Sequence, residues 1–119
     1  MNRYHILICD DEEPVREALR AYLENSYELS FAKTGQEALD NISNNAFDLL
    51  ITDIKMPGMN GLETIRQIKD VKPGQKIIVL SGYESISVAE QASKYNITSY
   101  LTKPVSKDKL LKTVSESLG

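Results

Sequence analysis

The sequence predicts a doubly wound α/β domain, a (βα)5 three-layer sandwich in which a five-stranded parallel sheet is covered by helices on both faces. Three observations carry this reading. Five short apolar runs alternate with segments of helical period along the whole chain. Helix-start signals fall where the helical segments begin. The length of 119 residues and the 41% apolar content fit one domain with one respectable core.

The elements follow in order. The first run, Tyr4 to Cys9, ends in Asp10-Asp11 and leads to a helix with Pro14 in its first turn and Val15, Leu19, Tyr22 and Leu23 on one face. The second, Tyr27 to Ala32, precedes Thr34 and Glu37, which have capping-box spacing, and a helix presenting Ala38, Leu39 and Ile42. The third, Phe47 to Thr52, ends in Asp53. Asn60 and Glu63 resemble a second capping box ahead of Leu62, Ile65 and Ile68. The fourth, Ile77 to Leu80, ends in Ser81-Gly82, with Ser85 as a cap for a fourth helix. The fifth, Thr98 to Leu101, runs into Thr102-Lys103-Pro104; Ser106 then caps a last helix carrying Leu110, Leu111, Val114 and Leu118. No linker, low-complexity tract or repeat interrupts the pattern, so residues 1–119 read as one domain.

Composition excludes several functions. The 14 basic and 17 acidic residues give a net charge of −3, which offers no general attraction for nucleic acid or anionic lipid. No apolar run approaches the roughly 20 residues of a membrane span, and the N-terminus lacks the pattern of a signal peptide, so a cytoplasmic address is expected. The single cysteine, Cys9, has no partner for a disulfide or a thiolate metal site and reads as a small buried strand residue.

In open doubly wound sheets, ligands collect at the carboxyl ends of the strands. Here those ends carry Asp10, Asp11, Asp53, Ser81 and Lys103, so three carboxylates, a hydroxyl and an ammonium converge on one edge. Each has an ordinary reading alone, as a helix cap or a solvated lysine, but their joint placement does not. Crowded carboxylates need a proton or a cation, and an all-oxygen set suits magnesium, which keeps several waters and requires few protein ligands. A carboxylate beside magnesium and a lysine can attack a phosphoryl group. Asp53, between the apolar run and the turn-rich Lys55-Met56-Pro57-Gly58-Met59-Asn60-Gly61, is the candidate nucleophile.

These spaced elements, DD, D-x-K-M-P-G-M-x-G, a strand-ending serine and Y-x-x-K-P, resemble the receiver domain of bacterial two-component response regulators over essentially the entire chain. The resemblance implies a flavodoxin-like strand order 2-1-3-4-5. It also implies that Asp53 is the phosphoacceptor, taking its phosphoryl group from a sensor histidine kinase or a small phosphodonor. Asp10, Asp11, Asp53 and the backbone carbonyl of Lys55 match the magnesium ligands, with manganese as a substitute ion. Lys103 matches the lysine that pairs with the phosphoryl oxygens, Ser81 the switch hydroxyl, Tyr100 the switch aromatic and Gly82 the small position that leaves the pocket open. A cis peptide bond before Pro104 would orient Lys103. Such a domain catalyses only its own phosphorylation and dephosphorylation. The implied output is a changed surface on the fourth helix, fifth strand and fifth helix, which would control an output domain or target protein or form a phosphorylation-dependent homodimer.

Val105 departs from the phenylalanine frequent in the family, which bears on packing of the last helix. Lys55 and Tyr83 stand two residues beyond Asp53 and Ser81, positions that in the family this chain resembles flank the path of the hydrolytic water, and their bulk argues for a longer-lived phosphoryl group. Other residues read as structure: His5 lies at the strand end remote from the site, Met56 and Met59 fill loop packing, Pro57, Gly58 and Gly61 shape a turn, and Tyr22, Tyr27 and Tyr95 fit amphipathic packing. The glycines do not form a dinucleotide fingerprint. An aspartyl phosphohydrolase would want D-x-D where residue 55 is lysine, and an unphosphorylated receiver-like module would lack an acid or the lysine; neither departure is present. From residue 85 on, five lysines face three acids, a local balance of +2 that suits an acidic partner as well as it suits ordinary lysine scatter.

Overall fold

The computed structural model describes residues 3–54, 61–82, 90 and 93–119. Five parallel strands, β1 (His5–Cys9), β2 (Glu28–Ala32), β3 (Leu49–Asp53), β4 (Ile77–Ser81) and β5 (Ser99–Thr102), form one sheet in the order β2-β1-β3-β4-β5. Three helices, α1 (Glu13–Leu23), α2 (Gly35–Asn44) and α3 (Gly61–Val71), and a C-terminal helix (Lys107–Leu118) pack on its two faces. The expected fourth helix, with Ser85 as its cap, lies outside the described residues; beyond it a short 3-10 turn covers Ser93–Tyr95.

Strand alternation divides the core into two layers. Ile6 and Ile8 of β1, Leu49 and Ile51 of β3, Ile78 and Leu80 of β4 and Leu101 of β5 pack with Leu19, Leu23, Leu110 and Val114 on the face of α1 and the C-terminal helix. Leu7, Cys9, Leu50, Ile77 and Val79 pack with Ala38, Ile42, Ile65 and Ile68 on the opposite face, that of α2 and α3. Because both faces are buried, β3 and β4 read as continuous apolar runs rather than alternating ones.

Four of the five strands start slightly later than their apolar runs, and β4 starts with its run at Ile77. Tyr4 is half-exposed and lies before β1, and Phe47 lies before β3 with its ring against His5. Phe47 and Tyr27 pack against the two core layers from just outside the strands, so the hydropathy signal extends past the hydrogen-bonded ladder. The expected caps form at Thr34, which accepts from the Glu37 N–H, and at Ser106, which accepts from the Lys109 N–H. Glu37 returns its carboxylate to the N–H of Lys33, one residue before the cap, so the expected capping box is displaced by one position. Pro14 lies in the first turn of α1, while Asn60 is outside the described residues.

Candidate functional site

Parallel pairing puts the carboxyl ends of all five strands on one edge, and register decides which side chains meet there. Asp10 extends β1 by one step, its N–H donating to the Ala32 carbonyl at 3.1 Å. Asp53 ends β3 opposite Leu80, and Ser81 ends β4 opposite Thr102. Asp10, Asp53 and Lys103 each stand two residues past an inward-facing residue of the same layer, namely Ile8, Ile51 and Leu101. Strand periodicity thus brings the three charges together from positions far apart in sequence.

The centre of the site is the Lys103 ammonium. Its Nζ lies 2.9 Å from Asp53 Oδ2, 3.0 Å from Asp10 Oδ2 and 3.6 Å from Glu12 Oε2. Asp10 and Asp53 are buried, whereas Asp11 is exposed. Asp10 is held from two more directions: its Oδ1 accepts the Glu12 N–H at 2.9 Å, and its carbonyl accepts from the Arg16 guanidinium at 2.8 Å. The Lys103 N–H in turn donates to the Ser81 carbonyl at 2.7 Å, and the Lys103–Pro104 peptide bond is cis.

Burial pushes the Asp10 carboxyl above the ordinary carboxylate range; the bonds from Glu12 and Lys103 oppose this and the negative Asp53 adds to it. Burial pulls Lys103 down, but its hydrogen bonds with Asp53 and Asp10 prevail and hold the ammonium up at about 12. The two tendencies compete over one contact. Lys103 touches both carboxylates, so its positive charge offsets the burial of the pair.

Asp10, Asp11 and Asp53 each offer an oxygen within 4.8 Å of the others. The donor set is carboxylate throughout, which fits a hard divalent cation better than zinc. At the ends of β4 and β5, the fully buried Ser81 hydroxyl donates to the Tyr100 hydroxyl at 3.3 Å, and Thr102 donates to the same oxygen at 3.4 Å. Gly82, partly buried, follows Ser81 directly.

The sequence-predicted Asp10, Asp11, Asp53 and Lys103 are therefore one cluster, and Ser81 with Tyr100 forms a hydroxyl pair at the same sheet edge. Lys55, Tyr83, Met56, Pro57, Gly58 and Met59 lie outside the described residues. Sequence reasoning missed Glu12, Arg16 and Thr102. The only sequence sign of Glu12 is its place two residues after Asp10, the spacing of an Asx turn. His5 packs as expected, its ring against Phe47 and its Nε2 2.7 Å from Ser30 Oγ.

Comparison with known proteins agrees with this arrangement. The model of the response regulator receiver domain matches residues 6–115. The transcriptional regulatory protein ZraR of Klebsiella oxytoca is 36% identical over 115 residues, which cover 96% of this chain and 26% of that protein. The response regulator MprA of Mycobacterium sp. (strain KMS) is 38% identical over 107 residues, 89% of this chain and 46% of that one. The chain thus spans about a quarter to a half of the length of these relatives. Among solved structures, a CheY-like receiver domain protein from Methanospirillum hungatei JF-1 aligns with a TM-score of 0.92 at 33% identity, covering 98% of this chain and 94% of that one. The response regulator TrrA of Thermotoga maritima, solved in complex with Mg2+-BeF, aligns with a TM-score of 0.86 at 36% identity, covering 96% and 98%. With the strand order, the acid cluster and the family match in agreement, this chain belongs to the response regulator receiver domain family.

Proposed function

We propose that this domain is a phosphorylation-controlled switch in which Asp53 accepts a phosphoryl group from the phosphohistidine of a sensor histidine kinase. The observation that carries the proposal is the Lys103 ammonium bridging Asp53 and Asp10 at 2.9 and 3.0 Å. An Asp53 carboxylate oxygen attacks phosphorus, the phosphorus–nitrogen bond breaks, and the imidazole nitrogen keeps the electron pair and takes a proton from solvent. Lys103 orients the incoming group and balances charge on its oxygens. Asp10, Asp11 and Asp53, with the backbone carbonyl of Lys55 that the family resemblance implies, would hold a magnesium ion, which would supply further positive charge for those oxygens. The phosphoryl group then draws the Ser81 hydroxyl from Tyr100, whose ring moves and changes the surface near β5.

The domain acts on itself rather than on a separate substrate. The partners are a sensor kinase and an output domain or target protein, with a phosphorylation-dependent homodimer as one form of output. The names of the relatives as transcriptional regulators, of which this chain matches only part, support that output. Among the described residues no helix is long and apolar enough to cross a membrane, which is compatible with the cytoplasmic address we propose.

Incubation with magnesium and acetyl phosphate should add one phosphoryl group per chain, read by intact mass. Chelation and Asp53→Asn should each abolish labelling, and Lys103→Ala should slow it by roughly a hundredfold. Unchanged labelling of Asp53→Asn overturns the proposal.

A further inference from the structure

The site contains a fourth carboxylate that the switch chemistry does not use. Glu12 is exposed, yet its backbone N–H is fixed by Asp10 Oδ1 at 2.9 Å, and its side chain reaches the Lys103 ammonium at 3.6 Å. A lysine ammonium has three N–H donors, and here three carboxylates face it. Two of them, on Asp10 and Asp53, are buried and close; the third stands at the rim. An incoming phosphoryl group brings its own oxygens to Lys103, which is hydrogen-bonded to Asp10 and Asp53, and competes there with the charge of Glu12. Glu12, the longest and most solvated contact, yields at least cost. Until it yields, it adds negative charge where an anionic donor enters.

We propose that Glu12 is a positioning residue that restrains phosphorylation of Asp53 by competing with the phosphodonor for the Lys103 ammonium. The inference rests on the assignment of Asp53 as phosphoacceptor. It makes Glu12 a determinant of phosphodonor preference, felt most by small, highly charged donors that carry no kinase surface of their own. The effect is that of one rim charge, so it is modest and screened by salt.

The test compares wild type, Glu12→Gln and a control, Glu17→Gln, whose carboxylate pairs with Arg20 on the same helix. Glu12→Gln is expected to speed labelling by acetyl phosphate about two- to fivefold at low ionic strength, with the gain fading at high salt. Glu17→Gln makes the same change in net charge and should leave the rate near that of wild type. The magnesium concentration for half-maximal labelling should be unchanged in Glu12→Gln. An unchanged or slower rate, an equal gain in Glu17→Gln, or a gain insensitive to salt overturns the inference while leaving Asp53 as phosphoacceptor. A weakened magnesium response also overturns it, since Glu12 would then serve the metal rather than Lys103. Failure of the wild type to label at all would instead refute the reading of Asp53 and take this inference with it.

Discussion

At the scale of single residues, sequence reasoning reached the charges but not their division of labour. Asp10 and Asp11 are adjacent and identical in type, yet one is buried against Lys103 and the other lies in solvent. Only the alternation of β1, which carries Asp10 inward in line with Ile6 and Ile8, separates them. Gly61 was read as turn chemistry, and the structure gives it a sharper cause. Its N–H donates to the Ile54 carbonyl at 3.0 Å, and a Cβ there would stand 2.1 Å from that same oxygen and 2.5 Å from Ile54 Cα. Both obstacles are backbone atoms, one residue past Asp53, so they cannot rotate away. Gly61→Ala should therefore lower stability by about 1–3 kcal/mol, seen as a lower urea midpoint, and should slow labelling of Asp53 by displacing the adjacent Ile54. A wild-type midpoint would mean that this approach does not constrain the site.

At the scale of elements, periodicity gave the layers and capping residues gave the helix starts. The apolar positions expected to face inward on α1, α2, α3 and the C-terminal helix are buried or partly buried in the two core layers. What periodicity lacks is register, because it ranks residues by face and not by height along a strand. The pairing of Asp53 with Leu80 and Ser81 with Thr102 follows from tertiary contacts between segments far apart in sequence, as does the bond between Ser81 and Tyr100. The Thr34 cap is local and was readable. Its hydroxyl serves the exposed Glu37 N–H, so Thr34→Ala should cost about 1 kcal/mol in urea unfolding while leaving labelling of Asp53 unchanged. A loss of labelling in a folded Thr34→Ala domain would link α2 to the chemistry in a way the geometry does not.

At the scale of the whole molecule, a functional cluster draws on a net stability that is only about 5–15 kcal/mol for such domains. Three acids share an edge, but Lys103 already pairs with two of them, so the metal-free domain carries less repulsion than three bare carboxylates would impose. The exposed Asp11 is the acid whose neutralisation leaves those two contacts intact. Magnesium should stabilise the domain by mass action, by about 2.7 kcal/mol at a hundredfold excess over its dissociation constant. Asp11→Asn should keep or raise the metal-free thermal midpoint and weaken the magnesium response. A wild-type shift no larger than that of an ionic-strength control would remove the shared metal pocket from the account.

The most direct test of the central claim is to locate the phosphoryl group itself. After labelling with acetyl phosphate and magnesium, borohydride reduction of the acyl phosphate should convert one aspartate to homoserine, and peptide mass spectrometry reads its position. The account predicts homoserine at position 53 alone, with Asp10 and Asp11 intact. Homoserine at position 10 or 11, or a phosphoryl group that resists reduction and maps to a hydroxyl such as Ser81, would contradict it.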